Sequence, residues 1–346
     1  MKNRNLSFPK MVWAFILFLT LLPFSVKAKE TSEVLAKCDT SLHSLAAADA
    51  IGAVHSTLDS FAPIHFQLAD SLIYVQASLN GSQPLWVILD TGSSFTVIDE
   101  SVLKMLGLQF EGEGNAYGPG QGSTQKFAFA SHTTLMFAGA NLGDQTVATL
   151  PLEWFSREVG RSTDGFLGSN VFRNYVVEID YANQVLRLHD PATYSYSGSG
   201  QRLPLQFVWD NIPSVRAEVV AQDGTSITGV FLVDSGATTA IWLSKAFSDA
   251  HPELISAQET IEVPNVLAVG GELSARLGRV QAVRLGGFLV SMPLTQFSQN
   301  TSAIFAAPDV AGTIGAQTLR QFTVIFDYPH REMILEPNEH FGDPST

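Results

Sequence analysis

Trp86-Val87-Ile88-Leu89-Asp90-Thr91-Gly92-Ser93-Ser94 is an apolar run that ends in a carboxylate, a hydroxyl and a glycine. The same design returns 144 residues later as Val230-Phe231-Leu232-Val233-Asp234-Ser235-Gly236-Ala237-Thr238. By average residue usage, one Asp-Thr/Ser-Gly tripeptide arises by accident in roughly one chain in ten of this length. Its return at a matching place in a second apolar run is what makes it informative. A carboxylate at the tip of an apolar strand, followed by a glycine that allows a tight turn, is held firmly and in a fixed direction.

Working outward, a second pair of segments repeats at an offset of 147. Gly165-Phe166-Leu167-Gly168-Ser169-Asn170-Val171-Phe172-Arg173-Asn174-Tyr175 matches Gly312-Thr313-Ile314-Gly315-Ala316-Gln317-Thr318-Leu319-Arg320-Gln321-Phe322, and the match continues through Asp180-Tyr181 and Asp327-Tyr328. A weaker third pair sets Leu135 to Gly139 against Val283 to Gly287. Three ordered matches at a near-constant offset indicate an internal duplication. The surrounding residues form short alternating or β-branched runs, such as Leu72 to Leu79, Val176 to Ile179 and Val324 to Phe326, separated by Gly, Asn and Pro. That pattern predicts strands, with little long helix.

A chain of 346 residues has room for two lobes with cores of their own. Apolar residues make up 45% and charged residues 15%, which excludes a disordered chain or a coiled coil. Acidic residues outnumber basic ones 33 to 20, so no broad basic footprint for nucleic acid exists. The single Cys38 excludes an internal disulfide and clustered-thiol metal sites, and the eight His show no metal-ligand spacing. Neither a Gly-x-Ser-x-Gly elbow nor a phosphate-cradling Gly-x-x-x-x-Gly-Lys loop is present. No cofactor and no metal is expected.

At the amino end, Lys2, Arg4 and Lys10 precede an uncharged apolar run from Met11 to Phe24, and Val26-Lys27-Ala28 supplies small residues for cleavage. This reads as an export signal, with an uncleaved anchor as the alternative; the run is short for a spanning helix. Cleavage would take the net charge from −13 to −17. Lys37 before Cys38 argues against a lipoprotein site. The expected organisation is residues 1–28 signal, 29–62 a helical segment or propeptide, 63–192 a first lobe, 193–202 a Ser- and Gly-rich linker, 203–337 a second lobe and 338–346 a tail.

The repeated segments resemble the signatures of the aspartic peptidases, the pepsin and retropepsin superfamily: Asp90-Thr91-Gly92-Ser93 with Phe166-Leu167-Gly168, and Asp234-Ser235-Gly236-Ala237 with Ile314-Gly315. The resemblance spans about residues 65 to 337. Asp164-Gly165-Phe166-Leu167-Gly168 is similar to the pepsin form, whereas Gly312-Thr313-Ile314-Gly315 followed by Phe326-Asp327-Tyr328-Pro329 looks like the shorter bacterial retropepsin-like enzymes. It implies an all-β fold of two similar barrel lobes about a pseudo-twofold axis, with a cleft between them. It implies an aspartic endopeptidase in which Asp90 and Asp234 share a proton and activate water. Thr91 and Ser235 would bond across the lobe interface, with Gly92 and Gly236 in the same loops.

By the same resemblance Ser93 would donate to the Asp90 carboxylate. Ala237 has no hydroxyl for Asp234, so the proton is expected mainly on Asp234, with Asp90 as the base and activity on the acid side of neutrality. The flap departs from the pepsin pattern: Val97 stands where those enzymes carry a tryptophan, and Tyr117 comes only 27 residues after Asp90. The Gly-rich stretch Tyr117-Gly118-Pro119-Gly120-Gln121-Gly122 fits a shorter lid, with Val269-Gly270-Gly271 as its counterpart, which makes Tyr117, Gly118, Gly120, Gly270 and Gly271 candidate substrate contacts. The expected partner is a peptide or protein substrate, taken by an exported monomer with no nucleic acid and no lasting membrane insertion once the signal is cut. Asp180 and Asp327 are read as turn formers, and Arg173 and Arg320 as scaffold ion pairs. The competing class is a non-catalytic binding or inhibitor module on the same fold, which would often lack one Asp; both are retained here.

Overall fold

The computed structural model describes residues 62–116, 125–209, 211–256, 258–268, 271–300 and 309–343. The expected signal and nearly all of the 29–62 segment lie outside the described residues, as do Tyr117, Gly118, Gly120 and Gly270.

The described chain is dominated by strands gathered into three sheets, with short helices between them. Eight strands from Gln67–Ala69 to Gly165–Leu167 form one sheet. Ten strands from Gln206–Val208 to Gly312–Gly315 form another. The third draws on both halves, in the spatial order Ile64–His65, Val185–His189, Val176–Asp180, Phe322–Asp327, Glu332–Pro337, Gln201–Pro204. At its middle, Val176–Asp180 runs antiparallel to Phe322–Asp327, with Val177 opposite Phe326. The stretch expected to be linker is therefore partly sheet, since Gln201 and Arg202 pair with Leu335 and Ile334.

Pairing follows one scheme in both halves. Leu85–Leu89 lies parallel to Gly165–Leu167, and Ser226–Asp234 lies parallel to Gly312–Gly315. Each Gly-led strand also pairs antiparallel with the short strand after the Asp turn, Val97–Asp99 or Ile241–Leu243. Strands in such central positions have both faces covered, so they are continuously apolar; this is why Leu89, Leu232 and Val233 are all buried. The repeated glycines are demanded by close approach. A methyl on Gly165 would collide with the Val97 carbonyl, and one on Gly312 with that of Trp242.

One apolar core runs through both halves. Phe172 of the first half meets Phe326 edge-on at 5.6 Å between centroids and stacks on Tyr328 at 5.2 Å. Asp180 and Asp327 close their strands as turn residues: Asp180 accepts from the Asn183 backbone and side chain, and Asp327 from the His330 amide and ring.

Candidate active site

Each Asp sits where its strand leaves the sheet. The Asp90 amide donates to the Leu167 carbonyl at 2.9 Å, and Asp234 is the last residue of a strand paired with Gly315. The strands carry the carboxyls to the seam between the halves, and the following glycines turn the chain back. In each loop the glycine amide donates to Oδ1 of its own Asp, Gly92 to Asp90 and Gly236 to Asp234, both at 2.8 Å.

The loops interlock. A methyl on Gly92 would lie 2.5 Å from the Asp234 carboxyl carbon, and one on Gly236 would lie 2.5 Å from that of Asp90. Each carboxyl thus rests against the backbone of the opposite loop, a position only glycine leaves open. Beside it, the Thr91 amide donates to Ser235 Oγ at 3.0 Å and the Ser235 amide to Thr91 Oγ1 at 2.9 Å. Both hydroxyls pass their own protons across the seam, Thr91 to the Val233 carbonyl at 2.8 Å and Ser235 to that of Leu89 at 2.9 Å. These four bonds are buried, and each side chain satisfies a main-chain group that water cannot reach.

Asp90 and Asp234 are fully buried, and they are close enough to hydrogen-bond to each other. Among the described residues no protein donor reaches Oδ2 of either one, so a proton carried by one carboxyl is the donor the arrangement provides. Two ionised carboxylates here would repel each other in a poorly screened setting. Burial, then the charge of Asp234, raises Asp90 well above the ordinary carboxylate range. Burial raises Asp234 as well, opposed by the bond from Asp90 and by the amides of Gly236, Ala237 and Gly92. The pair titrates as a unit that keeps one proton at higher pH than a free Asp would.

One expectation is corrected here. Ser93 does not donate to Asp90: its hydroxyl turns to the Phe95 carbonyl at 2.7 Å, two residues along its own loop. The asymmetry argued from Ser93 and Ala237 therefore has no structural basis.

Two residues near the pair escaped the sequence reading. Tyr181 and Tyr328 are buried, their hydroxyls meet no partner among the described residues, and both ionise less readily than a free tyrosine. Burial is the main cause, followed by carboxylate charge, from Asp234 for Tyr181 and from Asp90 and Asp234 for Tyr328. Their signal was present in the repeated Asp-Tyr, but the turn role of the Asp accounted for the dipeptide and drew attention away from the ring. Of the Gly-rich candidates, Gly271 opens the strand Gly271–Arg279, which pairs with Ile261–Ala268; the corresponding first-half hairpin joins Glu111–Ala116 to Gln125–Phe137. Arg173 is exposed and forms no ion pair among the described residues, contrary to the scaffold reading.

No curated protein matches the chain. A family model described as aspartyl protease matches residues 75–171, a stretch that holds the first Asp-Thr-Gly loop and Phe166-Leu167-Gly168 but ends before Asp234. Over that stretch the chain is similar to the aspartyl proteases, and a second loop of the same construction is bonded to the first.

Proposed function

We propose that this protein is an exported aspartic endopeptidase that hydrolyses peptide bonds with Asp90 and Asp234, and that one chain holds a complete site. The observation that carries the reading is the reciprocal contact of the two loops: each carboxyl packs on the other loop's glycine, and the pair retains one proton.

In this mechanism the ionised carboxylate of the pair takes a proton from a water held between the two. The water oxygen attacks the peptide carbonyl carbon while the protonated carboxyl gives its proton to the carbonyl oxygen, forming a neutral tetrahedral diol. A carboxyl then protonates the nitrogen, the carbon–nitrogen bond breaks, and the diol proton returns to the other carboxylate. No covalent acyl-enzyme forms. Neither carboxyl is exposed to solvent, so a peptide enters by displacing whatever covers them. An extended peptide would pair its backbone in β fashion with the protein and place alternate side chains in pockets.

Export rests on residues 1–28 and is tested by amino-terminal sequencing of protein recovered outside the cytoplasm, with a start near Lys29 expected. Peptidase activity is tested by incubating the purified chain with a mixed peptide library and reading products by mass spectrometry. Cleavage that disappears in Asp90→Asn and Asp234→Asn is expected; cleavage that persists in either folded variant overturns the assignment.

A further inference from the structure

A hollow of about 270 Å³ is lined by Arg173, Phe207, Asn211, Tyr328, Pro329 and Arg331. Its composition is unusual for so acidic a chain. Several cationic side chains are matched, as in Arg187 with Glu178, Arg202 with Glu332, Lys245 with Asp249 and Arg284 with Glu218. Arg173 and Arg331 have no carboxylate partner among the described residues, yet both face this one hollow. Of the acidic residues flanking Arg331, Asp327 is engaged by His330 and Glu332 by Arg202.

The two arginines come from different halves and are held by different means. Arg173 stands in the last turn of the helix Ser169–Asn174. Arg331 is fixed by its backbone, its amide donating to the Tyr328 carbonyl at 3.0 Å and its carbonyl accepting from the Leu205 amide at 2.8 Å, and its guanidinium lies 5.7 Å from the centre of the Phe207 ring. The rings of Phe207, Tyr328 and Pro329 complete the wall together with Asn211.

Two guanidiniums facing one space favour a ligand that takes charge-assisted, forked hydrogen bonds, and the rings favour an apolar body on that ligand. The volume is below the usual range for drug-sized molecules, about 300 to 1,000 Å³, which limits the guest to one ring or one residue. We propose that this hollow is a binding site for a carboxylate carried on a compact apolar body, either a small organic acid or the free carboxyl-terminal residue of a peptide. The proposal stands independently of the peptidase reading, because it concerns binding alone.

Calorimetric titration of the full chain at fixed ionic strength tests it, using benzoate for the organic acid, N-acetylphenylalanine for the peptide end, N-acetylphenylalanine amide as the uncharged control, and inorganic phosphate. Saturable binding of at least one carboxylate is expected, with the amide weaker by about tenfold or more, as loss of a charged hydrogen bond implies. Whichever acid binds more tightly identifies the source. Arg173→Gln, on an exposed side chain, should weaken that acid by a similar factor, and Arg331→Lys should weaken it by retaining the charge without the fork. Absence of saturation, an amide that binds as well as the acid, phosphate that binds more tightly than both acids, or unchanged binding in folded Arg173→Gln and Arg331→Lys would each overturn the proposal.

Discussion

In the first half, Gln125–Phe137 and Ala140–Leu150 form one long hairpin whose ladder shifts register twice. The second half covers the same course with four pieces, Gly271–Arg279, Ala282–Leu285, Phe288–Ser291 and Leu294–Ser298. Pro293, which has no amide to give, stands in one break, and Met292 beside it takes a positive φ of 49°. At the seam the halves show no such drift. Gly92 and Gly236 donate over the same 2.8 Å, and Thr91 and Ser235 exchange the same bonds. The duplicated sequence has been free to change where a hairpin faces its own half, and held where each copy is the other's packing surface.

The comparison breaks most decisively at the carboxyls. Asp90→Asn and Asp234→Asn are each expected to lower kcat/KM by at least the 10²- to 10⁴-fold typical of a lost acid or base, and by similar amounts, because the roles exchange within one turnover. The same variants should alter stability with the opposite sign. The folded pair binds its proton more tightly than an unfolded Asp of pKa 3.8, so its stabilising contribution is full below that value and is lost as pH rises through the raised folded value. Thermal melts from pH 4 to pH 7 should therefore show the wild type losing more stability than either Asn variant. An equal slope would mean that the pair holds no extra proton.

Next in size is the interlock. Gly92→Ala and Gly236→Ala each drive a methyl against the opposite carboxyl, and forcing the loops apart should cost about 1 to 3 kcal/mol in chemical denaturation, together with most of the activity. The two values should agree; a harmless Gly236→Ala would show that the loops are not equivalent. Thr91→Val and Ser235→Ala should each cost about 1 to 3 kcal/mol by stranding buried main-chain groups. The double variant should cost less than the sum, since both side chains serve one set of four bonds.

The smallest effect is expected where the halves differ by one hydroxyl. Ser93 serves the Phe95 carbonyl and not the Asp90 carboxylate, so Ala237→Ser should leave the acidic limb of the kcat/KM profile in place and change stability by less than about 1 kcal/mol. A clear shift of that limb would show that a hydroxyl at this position does reach the carboxyl pair.

Residue order alone carried the duplication, the strand-rich class, both aspartates and the turn roles of Asp180 and Asp327, because each depends on local chemistry: alternation, a glycine after an acid, an Asp before a turn. Tyr181 and Tyr328 were in plain view in the repeat, yet their nearness to the carboxyl charges depends on how the shared sheet folds under the seam. The partner of Ser93 turns on a single backbone direction at Phe95, which no spacing rule encodes.

What the sequence determined by itself is therefore the repeated unit: a strand, a carboxylate, a hydroxyl, a glycine, and a later Gly-led strand to pair with it. Tertiary structure decided how two such units meet. Antiparallel pairing of Val176–Asp180 with Phe322–Asp327 joins residues about 150 positions apart, and the contact of Gly92 with the Asp234 carboxyl spans 142. The raised proton affinity of the Asp90 and Asp234 pair, and the gathering of Arg173 and Arg331 around one hollow, arise from burial and distance. Those are properties of packed surfaces, and a linear order of residues does not contain them until the chain has closed on itself.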